Sequence, residues 1–125
     1  TALQKVIEKI QPGITTTQDI GNIIEEYVHS QGYYVIKEYG GHGIGHMMHE
    51  KPFIPNYKIS NEHSTVIIEN TAICVEPLVQ IDNAEIKLSA DNNWTVFSPQ
   101  GKLNAHFEHT IWVGKEKVEV LTTDG

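Results

Sequence analysis

The stretch GGHGIGHMMHE, residues 40–50, places three histidines and a glutamate among four glycines. Each glycine costs a helix about 1 kcal/mol relative to alanine, so the stretch is predicted to be extended. Glycines at this density indicate that a neighbouring strand, a bound peptide or both approach the backbone closely. We therefore expect His42 to point from a strand end into a cleft, and His49, past the bend, to face the same cleft.

Upstream of this stretch, the hydrophobic pattern has the period of amphipathic helices. A first helix is predicted over residues 3–10, and a Pro-Gly pair ends it. A second helix is predicted to begin at Thr16, in a capping box with Asp19, and to end at Gly32. Residues expected to face the core are Leu3, Val6, Ile7 and Ile10 in the first helix and Ile20, Ile23, Ile24, Tyr27 and Val28 in the second.

Downstream, β-branched and aromatic runs separated by turn residues predict short strands. YYVIKEY is predicted to be a strand, KPFIPNY an extended loop because of its two prolines, and DNNW and SPQGK hairpin turns. Further strands are expected in TVIIE, TAICVEPLVQI, EIKLS, WTVFS, NAHFEHTIWVG and KVEVLT. Two helices followed by a mostly antiparallel sheet indicate an α+β fold, with residues 1–125 forming a single domain.

Charge and composition argue against several classes of function. The net charge is −7 and the chain contains no arginine, whereas a nucleic-acid-binding protein presents a basic face. The single cysteine, Cys74, lies in an apolar run and is expected to be a buried small residue. No stretch has the length of a membrane span or the form of a signal peptide. We therefore expect a cytoplasmic protein with neither nucleic-acid nor membrane partners.

Two glutamates interrupt apolar runs in the downstream half. Glu76 lies in ICVEPLV and Glu108 lies in NAHFEHTIWV. A carboxylate in a buried strand is costly unless it is paired or binds a cation, although an edge strand that exposes it to water is an equal alternative. Two glutamates that converge with one histidine suit harder divalent ions such as Mn, Fe or Co. A zinc site of His42, His46 and His49 is less favoured, because their spacing matches no common zinc pattern.

Five segments, in order, resemble the type I methionine aminopeptidases. They are TTTQDIGNIIEEYVHSQGYYVI, GGHGIGHMMHEKPFIPNY, TAICVEPLV, NNWTV and HFEHTIWV. The resemblance covers nearly the whole chain and implies the C-terminal half of that family's pita-bread fold. It also implies a hydrolase, a metalloprotease that removes the N-terminal methionine from peptides and nascent proteins.

The resemblance assigns roles to individual residues. His42, Glu76 and Glu108 match three of the family's five ligands to two divalent metal ions, whose identity among Co, Mn, Fe, Zn and Ni is left open. Glu76 also matches the general base that then acts as an acid toward the leaving amine. His49 matches a catalytic histidine that hydrogen-bonds the substrate near the scissile amide. The residues expected to contact the substrate are His49, Met48 and Trp94.

The family's two aspartate ligands have no counterpart in this chain. Its aspartates are Asp19, Asp82, Asp91 and Asp124, and none lies in the family's aspartate motif. We therefore expect the C-terminal portion of a longer catalytic domain that is nearly inactive alone. Its expected partners are the N-terminal methionine of a peptide, and either the missing N-terminal half or a second copy of this chain.

Several histidines fall outside the family's ligand set. His106 replaces a glutamine that is common in the family two residues before Glu108, which changes the local hydrogen bonding. The roles of His46, His106 and His109 are left open between contact with the site and an ordinary surface or strand position. The histidines expected at the surface are His29 and His63.

Two other functions remain as alternatives. One is an aminopeptidase P or prolidase, which shares the pita-bread fold and similar glycine–histidine segments, although PNY and EHT favour the methionine enzyme. The other is a non-catalytic pita-bread module that binds a peptide. Buried carboxylates count against the module, because peptide binding does not require them.

Overall fold

Two helices open the chain in the computed structural model, which describes residues 1–123. Helix α1 spans Ala2–Ile7 and helix α2 spans Thr17–Ser30. The predicted capping box is present before α2: the Thr16 hydroxyl accepts the Asp19 backbone N–H, and the Asp19 carboxylate accepts the Thr16 N–H at 2.8 Å. Among the described residues, no helix combines the length and the apolar composition that a membrane crossing requires.

Helix α1 ends earlier than the apolar pattern predicted. The Thr15 hydroxyl accepts a hydrogen bond from the Gln11 N–H at 2.8 Å and donates one to the Lys9 carbonyl at 3.2 Å. A side chain thereby satisfies backbone groups that a longer helix would have used. Ile10 is still buried, so the predicted core residue is correct although the helix boundary is not.

Ten strands follow within the described residues, and they pair antiparallel, which confirms the α+β prediction. Their bounds are Tyr34–Val35 (β1), Gly41–Ile44 (β2), Glu50–Ile54 (β3), Thr71–Val75 (β4), Leu78–Gln80 (β5), Lys87–Leu88 (β6), Val96–Phe97 (β7), Asn104–His106 (β8), His109–Val113 (β9) and Val118–Val120 (β10). A 3-10 helix, Asn61–His63, lies between β3 and β4.

The strands form three sheets. The largest has the order β10-β9-β4-β2-β3, a second has the order β1-β5-β8, and β6 and β7 form a hairpin around the predicted DNNW turn. β2 therefore lies inside the five-stranded sheet, with β4 on one side and β3 on the other. This position explains the glycine-rich stretch.

The glycines let β2 lie very close to both neighbours, as predicted. A Cβ on Gly41 would lie 2.0 Å from the carbonyl oxygen of Cys74 in β4, and a Cβ on Gly43 would lie 2.2 Å from that of Lys51 in β3. No side chain fits between backbones at these distances. Neighbouring strands therefore account for both glycines without a bound peptide.

The core lies between the two helices and one face of the five-stranded sheet. Ile20, Ile24 and Val28 of α2 are buried against strand residues that include Ile73 of β4 and Ile111 of β9. Successive strand residues point to opposite faces, so the residues that alternate with this apolar set are directed away from the helices. That second face carries the candidate site.

Three predictions of local structure are wrong because non-local pairing decided the outcome. KPFIPNY is partly strand: β3 lies at the sheet edge, and its pairing with β2 shifts register so that Lys51 and Pro52 have no paired partner, a position that tolerates proline. TVIIE forms only an isolated bridge between Val66 and Thr16, because the Ile67 backbone bonds to the loop after α1. SPQGK is a turn but not a hairpin, since β7 pairs with β6 whereas β8 pairs with β5.

Candidate metal centre

Two chain segments cross from one sheet to the other at the same place. β4 leads into β5 through Glu76 and Pro77, and β8 leads into β9 through Phe107 and Glu108. Because β4 pairs with β9 and β5 pairs with β8, the two crossings lie side by side. The Phe107 N–H bonds to the Pro77 carbonyl at 3.4 Å. This topology brings together two glutamates that are far apart in the sequence.

A row of cross-strand partners fixes the face on which these glutamates project. Cys74 lies opposite His42 of β2 on one side and opposite Thr110 of β9 on the other. Alternate residues of an extended strand share a face, so Glu76 and Glu108 follow this row on the face opposite the helices. The site is therefore built on the middle strands of the sheet.

The Glu76 carboxylate lies between two imidazoles. Its Oε1 is 3.4 Å from Nε2 of His42, and its Oε2 is 3.2 Å from Nε2 of His106. The Glu76 side chain is only 15% exposed. One donor atom each from Glu76, His106 and Glu108 lie within 4.8 Å of one another. The structure thus brings two glutamates and two histidines to one crossing point.

The electrostatics of the cluster favour a cation. Burial, and next the negative charge of Glu108, raise the pKa of the Glu76 carboxyl, while His106 and His42 act in the opposite direction. Two carboxylates that share one site repel each other, and a bound cation removes this penalty. The mixture of carboxylate and imidazole donors fits a first-row divalent ion.

Cys74 is buried beneath the cluster, as predicted from its apolar run. Its Sγ lies 3.6 Å from the Thr110 hydroxyl. Burial raises the pKa of the Cys74 thiol, Thr110 opposes the shift, and the charges of Glu108 and Glu76 add to it. A thiol that is harder to ionise is a poor nucleophile and a poor metal ligand, so Cys74 acts in packing.

The loop after β2 places His49 beside His42. The two imidazole ring centroids are 4.3 Å apart, with the rings tilted by 55°. Glu50 holds this loop, because its Oε1 accepts the Met47 backbone N–H at 2.8 Å. Met48, on the same loop, is 68% exposed.

A cavity of about 620 Å³ opens next to the cluster. Glu76 and His106 line it, together with Trp94 of the β6–β7 hairpin, which is 84% exposed. Met48 does not line this cavity. A second cavity of about 550 Å³ lies between the helices and β5 and contains none of the clustered glutamates. The cluster of glutamates and histidines therefore borders the cavity of about 620 Å³.

The aspartates lie elsewhere. Asp19 caps α2, Asp82 pairs with Lys102 at 3.8 Å, and Asp91 lies in the hairpin turn. Asp124 lies outside the described residues. Within the described part of the chain, the ligand cluster contains glutamate and histidine alone.

Sequence reasoning did not foresee the contact of His106 with Glu76. The available signal was its spacing, because a residue two positions before Glu108 shares its face in an extended segment. His109 is directed to the other face, where Nδ1 lies 3.0 Å from the Thr122 hydroxyl and the ring lines the cavity beside the helices. His46 is exposed, and His29 and His63 lie at the surface, as predicted for the last two. The assignment of ligand and substrate roles to His42, Glu76, Glu108 and His49 remains a prediction.

Known proteins share this arrangement of elements. The methionine aminopeptidase of Mycoplasma capricolum is 46% identical over 121 residues, which are 97% of this chain and 47% of that protein. The crystal structure of methionine aminopeptidase from Rickettsia prowazekii gives a TM-score of 0.88 at 38% identity, covering 98% of this chain and 48% of that chain. A prolidase from Pyrococcus horikoshii is more distant, with a TM-score of 0.66 at 25% identity over 99% of this chain and 29% of that chain.

These comparisons confirm the resemblance inferred from the five segments. The chain spans about half the length of the curated relatives it matches, which fits the expected C-terminal half. The model of metallopeptidase family M24 matches residues 1–115, a range that contains every residue of the glutamate–histidine cluster. The chain belongs to metallopeptidase family M24.

Proposed function

We propose that this chain forms the C-terminal portion of a metal-dependent aminopeptidase that removes the N-terminal methionine from peptides and nascent proteins. The observation that carries the proposal is the convergence of Glu76, Glu108 and a histidine at the crossing between the two sheets. The higher similarity to methionine aminopeptidases than to a prolidase supports the choice of substrate.

His42, Glu76 and Glu108 are the residues that would hold the metal in this proposal. Their donor set, one imidazole and two carboxylates, suits Mn, Fe or Co. A bound divalent ion would acidify water and polarise the substrate carbonyl. We propose two such ions in the complete enzyme, with the remaining ligands supplied from outside residues 1–125.

The other roles follow from positions around the cluster. Glu76, which lies at the crossing point beside Glu108, would take a proton from the attacking water and pass it to the leaving amine. His49, beside His42, would donate a hydrogen bond to the substrate carbonyl. The cavity next to Glu76 would receive the methionine side chain, with Trp94 as part of its wall. Met48, exposed on the loop with His49, would contact the substrate from the other side.

The isolated chain is expected to be nearly inactive, because three of five ligands bind metal weakly. The test is a chimera that joins the N-terminal half of the Rickettsia prowazekii enzyme to this chain. With added Mn²⁺ or Co²⁺, we expect the chimera to release methionine from a Met-Ala-Ser peptide and the Glu108→Ala chimera not to. A folded, metal-binding chimera that cleaves no such peptide would refute the proposal.

Two controls separate the alternatives. A peptide with proline in second position and a bulky first residue would be cleaved by a prolidase-type enzyme, and we expect the chimera to leave it intact. A non-catalytic module would show no difference in Mn²⁺ affinity between the wild type and Glu108→Ala, whereas the proposal requires a loss. The cytoplasmic location remains a prediction from the sequence.

A further inference from the structure

His106 lies close enough to Glu76 and Glu108 to bind the same metal ion. It ends β8, two residues before Glu108, and its Nε2 is 3.2 Å from Oε2 of Glu76. Its side chain is 47% exposed, so the ring reaches the cluster from the solvent side. His42 contacts the other oxygen of Glu76, from the side of β2.

The distances between the donor atoms are close to those required for a shared ion. Donor atoms that bind one metal at about 2.1 Å lie at most about 4.2 Å apart. One donor atom from each of Glu76, His106 and Glu108 already lie within 4.8 Å of one another. The three donor atoms therefore need to move only slightly closer together to share one cation.

A hydrogen bond from His106 to Glu76 does not by itself account for the cluster. Among residues 1–123, no lysine or histidine forms an ion pair with Glu108. His42 and His106 both contact Glu76, whereas Glu108, which is exposed to solvent, has no cationic side chain beside it among these residues. A divalent ion neutralises both carboxylates and accepts the Nε2 lone pair of an imidazole whose proton is on Nδ1.

We propose that His106 ligates a divalent cation together with Glu76 and Glu108, so that this chain holds one ion with its own side chains. The inference rests on the proposed function in taking the cation to be a first-row divalent metal. It extends that function, because a nitrogen ligand from β8 is added to the set of His42, Glu76 and Glu108. It also gives the isolated chain metal affinity, even where it lacks activity.

The experiment titrates the metal-free chain with MnCl₂ and CoCl₂ in a calorimeter. The variants are His106→Gln, which keeps a hydrogen-bond donor for Glu76, and Glu108→Gln, which removes a carboxylate. His63→Gln is the matched control, since His63 is exposed in the 3-10 helix. Circular dichroism verifies that each variant is folded. A second measurement records the proton NMR spectrum of the Co²⁺-loaded chain, in which ring protons of a ligating histidine are strongly shifted.

We expect the wild type and His63→Gln to bind one ion equally, and His106→Gln to bind at least about tenfold more weakly. A paramagnetically shifted ring signal that disappears in His106→Gln supports direct ligation. Equal affinity of wild type and His106→Gln, or no binding by the folded wild type, overturns the inference.

The outcome is separable from that of the chimera assay. Methionine release together with unchanged affinity in His106→Gln removes this inference and leaves the proposed function intact. Loss of metal affinity in His106→Gln, together with a chimera that releases no methionine, supports this inference and removes the proposed function.

Discussion

The side-chain amide of Asn56 donates a hydrogen bond of 3.0 Å to the backbone carbonyl of Glu76. Asn56 is fully buried just after β3, whereas Glu76 lies at the crossing between the two sheets. The bond therefore ties the chain beyond the edge strand to the backbone that carries the central carboxylate. The contribution of this bond to stability and its contribution to metal binding can be measured separately.

Replacement of Asn56 by alanine should destabilise the fold and loosen the site. The Glu76 carbonyl would lose its buried partner, which lowers the free energy of unfolding by about 1–3 kcal/mol. Urea denaturation measures this loss, and Mn²⁺ titration of the folded variant should show weaker binding. Asn61→Ala, at an exposed position, is the control and should remain within about 0.5 kcal/mol of the wild type. Equal stability of Asn56→Ala and Asn61→Ala would contradict the assigned role.

Replacement of Gly41 by alanine should be far more damaging than the same change at Gly45. The new Cβ at Gly41 would meet the Cys74 carbonyl oxygen at 2.0 Å, and a backbone cannot yield without disturbing the sheet. We expect a loss of about 3 kcal/mol or more in unfolding free energy. At Gly45 the nearest atoms, at 2.9 Å, belong to the flexible Glu50 carboxylate, so the loss should be below about 1 kcal/mol. Thermal denaturation of both variants makes the comparison.

Glu25 should stabilise the fold in a pH-dependent way. Burial opposes its ionisation, but the hydrogen bonds from Lys37 Nζ at 2.7 Å and the Lys58 N–H at 2.8 Å prevail and lower the pKa of Glu25. A carboxyl whose pKa is lower in the folded state stabilises it above the unfolded pKa of about 4.3, and loses this effect as the pH falls through the folded value.

Glu25→Gln should therefore lower the free energy of unfolding by about 1–2 kcal/mol at neutral pH, and the difference from wild type should shrink in acid. Urea unfolding at several pH values measures it. Glu26→Gln, at the adjacent exposed position, should show a smaller difference throughout. A gap for Glu25→Gln that persists unchanged in acid would mean that its charge is not involved.

The parts of the fold that depend on neighbouring residues were predictable. The capping box of Thr16 and Asp19 and the apolar stripe of α2 need only local chemistry, and both are present. The predictions for β3 and TVIIE are wrong, because whether a segment becomes a strand depends on a distant partner. Pro52 argued against a strand, but the edge position that permits it was invisible in the sequence.

In the site too, features set by neighbouring residues could be predicted, whereas contacts set by strand pairing could not. Glu76 and Glu108 are identifiable in the sequence because each interrupts an apolar run, and the structure brings them together. The contact of His106 with Glu76 depends on the pairing of β8 with β5, which puts His106 opposite Leu78. No feature of the segment NAHFEH specifies that register. The histidine therefore stood out only as a departure from a related family.

Glu76→Gln should stabilise the metal-free chain while abolishing metal-dependent stabilisation. Burial and Glu108 raise the pKa of Glu76, so the folded chain binds this proton more tightly than the unfolded chain. The stability of the metal-free wild-type chain therefore falls as the pH rises from the ordinary pKa range of a carboxyl group through the raised pKa of Glu76. At neutral pH the neutral amide avoids this cost.

Thermal denaturation with and without Mn²⁺ tests the prediction for Glu76. Without metal, the variant should melt above the wild type at neutral pH, and the two should converge in acid. With metal, the wild type gains stability by mass action and the variant does not. A variant that melts well below the metal-free wild type would show that the carboxylate is already compensated by His42 and His106.

His49→Ala should impair catalysis without weakening metal binding. The His49 ring contacts the His42 ring, but His49 does not belong to the cluster of donor atoms around Glu76. In the chimera with the Rickettsia prowazekii half, loss of a hydrogen bond to the reacting carbonyl should reduce kcat by about 100-fold. Mn²⁺ affinity should remain unchanged. His46→Ala, in the same exposed loop, is the matched control and should keep its kcat. If His49→Ala lost metal affinity in parallel with kcat, His49 would act as a ligand and the role of hydrogen-bond donor would be wrong.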